Sequence, residues 1–144
     1  MSLRFGRIGF AALVLLGASS ALADWKLLKR DNQAMLSIDP QSIVKEGDVV
    51  SLRYMVDFRT PQGNIKEGPR YRSIVVSAKL RCKSKTISIG HTDAYAAFGA
   101  KGIIIAKTAP TRGEAQFHLL EKESSDQELW THVCEVKLLA PPKK

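Results

Sequence analysis

Between Arg72 and Lys83 the chain alternates with a period of two. Ile74, Val76, Ala78, Leu80 and Cys82 take the even positions, and Ser73, Val75, Ser77, Lys79, Arg81 and Lys83 take the odd ones. Successive residues of a strand point to opposite faces, so the pattern specifies a half-buried strand and says which side meets the core. A slip of one residue would turn the whole apolar set toward water. A second run repeats the design: Val50, Leu52, Tyr54, Val56 and Phe58 alternate with Ser51, Arg53, Met55 and Asp57. The turn-rich stretch "RTPQGNIKEGPR" separates the two runs, and together they predict a long-loop antiparallel hairpin.

Cys82 belongs to the apolar set, although Lys79, Arg81, Lys83 and Lys85 surround it in the chain. Nearby cations would lower a thiol's pKa, but the period of two assigns the four charges to the opposite face. The other cysteine, Cys134, lies in "SSDQELWTHVCEV", residues 124–136. Ser125 followed by Glu128 reads as a capping box, and Asp126 suits the positive start of a helix. At helical spacing Leu129, Trp130, Val133, Cys134 and Val136 share one arc, while Glu128, Thr131, His132 and Glu135 cover the other. Pro141 and Pro142 end the helix. Both thiols therefore lie on apolar faces, and a Cys82–Cys134 bridge would pin helix to sheet. Closing a loop of roughly 50 residues contributes about 4 kcal/mol on the chain-entropy account. Free thiols and a redox pair are the alternatives, and the C-x-x-C spacing of redox pairs is absent.

The first residues set the compartment. Arg4 and Arg7, the apolar run "IGFAALVLLG" and the small-residue site ending at Ala23 describe a secretory signal peptide over residues 1–23. A membrane span needs about 20 apolar residues, so no span is expected in the mature protein, with a retained anchor as the alternative. No cysteine stands at the cleavage point "ALA-DW", so no lipid anchor is expected, and the protein is read as periplasmic or secreted. Such compartments permit disulfides. One domain is expected over 24–140, followed by a short basic tail, 141–144. Two of the 22 cations and none of the 14 anions fall in the leader, which lowers the formal net charge of +8 by two. In an exported protein that balance points to acidic polysaccharides, anionic membrane surfaces or acidic proteins rather than nucleic acid. A merely solubilising surface is the competing reading.

The remaining segments complete an α+β chain. Trp25 to Arg30 and Ala34 to Ile38 read as short strands joined through "RDNQ", with a helical turn near Gln41 to Val44. After Cys82 the apolar parity shifts to Ile87 and Ile89, which predicts a bulge near Ser84. "GHTDAYAAFGAKG" reads as containing a turn, "GIIIAKT" as a buried strand, and Gln116 to Leu120 as a short last strand. The expected fold is an antiparallel β-sheet with a C-terminal α-helix packed on one face and tethered by a disulfide. No G-x-S-x-G, H-E-x-x-H or phosphate-loop pattern occurs, and "APTRGEA" holds a single glycine. His91, His118 and His132 lack ligand spacing, and the "GHTD" pair His91 and Asp93 has no nucleophile beside it. Tyr54, Tyr71, Tyr95 and Phe98 read as core before pocket. No enzyme, cofactor or metal site is expected.

Across residues 25–135 the order and spacing of "SIDPQSIVKEGDVVSLRYMVDF", "GPRYRSIVVSAKLRCKSKTISI", Tyr95, "FGAKG" and "ELWTHVC" resemble the bacterial surface-adhesin protein E family. Asp39-Pro40, Ser42-Ile43, Gly47, Tyr71, Ser73, Cys82 and Cys134 carry the likeness. The chain departs from the family pattern in lacking a lipid-anchoring cysteine and in having Phe117 where members often have Trp. The resemblance implies the same disulfide-held fold and binding of host extracellular proteins. On the residues themselves, Lys79, Arg81, Lys83 and Lys85 are the candidate surface for such a protein or for an acidic polysaccharide, and a homodimer is an allowed state. The alternative is a periplasmic structural or accessory protein with no adhesive function.

Overall fold

The computed structural model describes residues 23–135. The leader and basic tail expected from the sequence, and Val136, Pro141 and Pro142 at the expected helix end, lie outside the described residues. Two long strands form the spine, β4 (Val49–Gln62) and β5 (Tyr71–Arg81). Their register pairs Leu52 with Ala78, Tyr54 with Val76 and Val56 with Ile74, and between these pairs Ser51 with Lys79, Arg53 with Ser77 and Asp57 with Ser73. The apolar and polar sets thus fall on opposite faces, as the alternation requires.

β1 (Lys26–Arg30) and β2 (Ala34–Ile38) extend the sheet on one side, β6 (Thr86–Ala97) and β7 (Lys101–Thr108) on the other. The order is β1-β2-β4-β5-β6-β7, with every pairing antiparallel. β3 (Val44–Glu46) pairs with the start of β4, and β8 (His118–Leu119) with the start of β6. Between them lie 3₁₀ turns at Pro40–Ser42 and Phe98–Ala100 and a four-residue helix, α1 (Arg112–Ala115).

The C-terminal helix α2 (Ser125–Trp130) runs directly into a π-helical turn, Thr131–Glu135. Leu129, Trp130 and Val133 press onto Ile38, Val50, Leu52, Leu80 and Ile87, which form the core. Cys82 and Cys134 are joined, with Cα atoms 5.6 Å apart, inside the span a disulfide bridges. The Trp130 indole N–H donates to the Cys82 carbonyl at 3.1 Å, adding a second tie at the same point.

Four local expectations change. Ser124 caps α2, accepting from the Gln127 N–H at 3.3 Å, so the helix begins one residue ahead of the expected Ser125 cap. The parity shift after Cys82 comes from a hairpin turn over residues 82–85, where Lys85 has φ 52°, and not from a bulge near Ser84. The bulge sits in β6, where Ala78 faces Ile89 but Val76 faces Thr92. Gly90 belongs to it, and a Cβ there would come within 3.1 Å of the Ser77 carbonyl oxygen. "GHTDAYAA" is consequently strand, with the turn deferred to Phe98–Ala100. Finally, "GIIIAKT" forms β7 as expected but is not buried. Ile103 is 71% exposed, because β7 pairs only with β6 and no residue of the core cluster comes from it.

Candidate binding face

The helix covers one face of the sheet, leaving the odd-numbered face as the place where polar side chains collect. At its β2 end Asp39, 3% exposed, builds a node. Its carboxylate accepts from the Gln41 N–H at 3.1 Å and from Arg53 Nη2 at 2.7 Å. The Ser42 hydroxyl donates to the Asp39 carbonyl at 2.7 Å and accepts from the Arg53 N–H at 2.8 Å. Arg53 is held at both backbone and side chain, yet its side chain stays half exposed over the face. Such tethering lowers the rotamer entropy lost when a guanidinium engages a ligand.

At the other end the Phe98–Ala100 turn folds back over the sheet. The Gly99 N–H donates to the buried Asp57 carboxylate at 2.6 Å, and the Ala100 N–H to the Ser73 hydroxyl at 3.0 Å. That hydroxyl donates onward to the Ala97 carbonyl at 2.6 Å. Gly99 (φ 69°) and Ala100 (φ 56°) both take left-handed backbone to make this reversal. Glycine adopts that region freely, whereas alanine is strained there.

Between node and turn lies a trough of about 700 Å³ whose lining includes Trp25, Met55, Val75, His91, Asp93 and Tyr95. A neighbouring depression of about 500 Å³ is lined in part by Ser42, Ser51, Lys79, Ser88 and Gly90. The two share Arg53 and Ser77. Buried Met55 and Val75 give the trough an apolar floor, and Asp93 is the one acid among the lining residues of either hollow. An apolar floor, aromatic walls and a few placed polar groups are the usual ingredients of a ligand surface.

The expected cationic strip divides. Lys79 and Arg81 stand on this face, the Arg81 guanidinium 3.9 Å from the Phe117 ring centroid. β5 ends at Arg81, and with it the period of two. Lys83 lies in the following turn, its backbone N–H donating to Asp48 at 3.2 Å. Lys85 turns to the helix side, with its ammonium 4.7 Å from the Trp130 ring centroid. The turn reading of His91 and Asp93 hid their place on this face, and Trp25 carried no signal at all. Arg53 was legible from parity. Among the described residues no group of three His, Cys, Asp or Glu is placed to hold a metal, and no helix is long and apolar enough to cross a membrane.

One antiparallel sheet, a disulfide-held helix on one face and an open polar face define the class: a single-sheet α+β domain stapled by a cystine. The family model of surface-adhesin protein E matches residues 25–135, and the chain belongs to that family. Solved structures agree in fold. The crystal structure of protein E from non-typeable Haemophilus influenzae shares 17% identity with a TM-score of 0.54, over 75% of this chain and 74% of that one. Crystal form II of Haemophilus influenzae protein E gives 17% and 0.55, over 74% and 91%. A further Haemophilus influenzae protein E structure gives 16% and 0.54, over 78% and 92%. No curated protein sequence matches the chain.

Proposed function

We propose that the protein is an exported, non-catalytic adhesive module that holds an acidic extracellular polysaccharide on its open sheet face. The observation that carries this reading is that tethered Arg53 lines both the apolar-floored trough, whose lining has a single acid, and the neighbouring hollow that Lys79 also lines, with Arg81 two residues further along the same strand face. Carboxylate or sulfate groups would meet the cations, and sugar rings the Trp25 and Tyr95 side chains. Membership of the surface-adhesin protein E family supports adhesion as the purpose of such a face.

The test is a heparin column. A Lys79→Ser, Arg81→Ser variant should elute at clearly lower salt than the parent. Lys83→Ser, Lys85→Ser should change elution less, since Lys85 turns to the helix side and Lys83 lies in the turn beyond the strand. Equal elution of the first variant and the parent, with folding intact, would remove the polysaccharide reading and favour an accessory periplasmic role. Retention of an acidic host protein in place of heparin would reassign the partner.

A further inference from the structure

A second surface, adjoining the open face where Lys101 lines the trough, gathers at one end of the sheet. The β4–β5 hairpin closes there, since Gln62 pairs with Tyr71, and the β6–β7 turn lies beside it, since Ser73 pairs with Tyr95. Each loop carries a large apolar side chain that is exposed. Ile65 is 77% exposed inside the turn closed by the Glu67 N–H to the Asn64 carbonyl at 2.9 Å, and Phe98 is 45% exposed. Cations lie on or beside the same loops: Lys66 and Arg70 in the hairpin, Arg59 and Arg72 in its flanking strands, and Lys101 just after the turn.

Three of these are fixed in place. Arg59 Nε donates to the Asp31 carbonyl at 3.0 Å, Arg70 Nη2 to the Pro61 carbonyl at 2.6 Å, and Arg72 Nη1 to the Arg59 carbonyl at 3.2 Å. Arg72 also lies 4.9 Å from the Phe98 ring centroid, joining hairpin and turn. Of the exposed acids here, Asp31 spends its carboxylate on the N–H groups of Gln33 and Ala34, at 2.7 and 2.9 Å. Glu67 is the other.

We propose that this end of the sheet docks on an anionic lipid surface, Ile65 and Phe98 entering the interface and the neighbouring cations meeting headgroup phosphates. Guanidinium forks match phosphate oxygens in pairs. A specific protein partner needs a complementary patch of about 800 Å² on each side. Two isolated apolar tips flanked by positive charge need only the depth of an interface. The surface uses none of Arg53, Lys79 and Arg81, so it stands or falls apart from the polysaccharide reading.

The experiment is co-sedimentation of the purified protein with phosphatidylcholine vesicles, with and without about one third phosphatidylglycerol. Binding to the anionic vesicles alone is expected. Lys66→Gln and Arg70→Gln should each weaken it about 5-fold, and together about 25-fold. Ile65→Ser should weaken it about 5-fold while leaving the melting temperature unchanged, because the side chain is largely exposed. Lys79→Ser, Arg81→Ser should bind vesicles as the parent does. No binding to anionic vesicles, or binding insensitive to Ile65, Lys66 and Arg70, overturns the proposal. So does a Lys66→Gln, Arg70→Gln variant that loses heparin retention without losing vesicles, which would assign the cations to an acidic polymer.

Discussion

Asp39 explains why "SIDPQSI" reads as a unit. Its N–H donates to the Arg53 carbonyl at 3.1 Å, its carbonyl accepts from Ser42, and its carboxylate serves both Gln41 and Arg53. Pro40 opens the 3₁₀ turn, where a missing N–H costs nothing. Removing the carboxylate leaves Arg53 without its partner, and hydrogen bonds to charged groups contribute about 1.5–3 kcal/mol each. Asp39→Ala should therefore lower stability by about 2–3 kcal/mol in urea unfolding. A midpoint equal to the parent's would show the node to be incidental. Asp126 offers a pH test. Burial pushes its carboxyl above the ordinary value of 3.8, and Glu121 pushes further, while His118 opposes both. The folded state then holds this proton more tightly than the unfolded chain, so stability is lost as pH rises through the raised value. Melting curves of Asp126→Asn and parent should diverge in the variant's favour as pH rises above about 4. A constant gap across that window would contradict the assignment.

At the scale of elements, α2 is too short to persist alone, since isolated helices below about 12 residues are marginal in water. Burial of Leu129, Trp130 and Val133 holds it, together with the cystine and the Trp130–Cys82 hydrogen bond. Cys134→Ser should cost about 2–5 kcal/mol. Hydrogen exchange in that variant should rise in α2 before it rises in β4 or β5. Unchanged exchange in α2 would mean that packing alone secures the helix. β7 teaches the opposite lesson about sequence. Three consecutive isoleucines are compatible with burial on both faces, but a run without alternation cannot say what will cover it. Here nothing in the core cluster does. Lys101 and Lys107 flank the exposed stretch, a charge pattern that discourages edge pairing.

For the whole molecule, the leader reading makes one direct prediction: mass spectrometry of the exported protein should give Asp24 as its first residue. A chain that retains Met1 would refute it. The core, the fold class and the cystine were legible before any coordinates, as was the pairing of β4 with β5. Each follows from burial with a period of two or of 3.6, and periodicity is a property of neighbouring residues. The polar face was legible only in part. Parity placed Arg53, Lys79 and Arg81 on it, and failed at Lys85 because parity ends where the strand does. A bulge at Gly90 and a turn that folds back through Gly99 were needed to set His91, Asp93 and Tyr95 opposite Trp25 and Arg53. By itself the sequence determined which side of each strand meets the core. Only the tertiary structure decided which of the remaining side chains meet one another, because that depends on registers, bulges and turns between segments far apart in the chain.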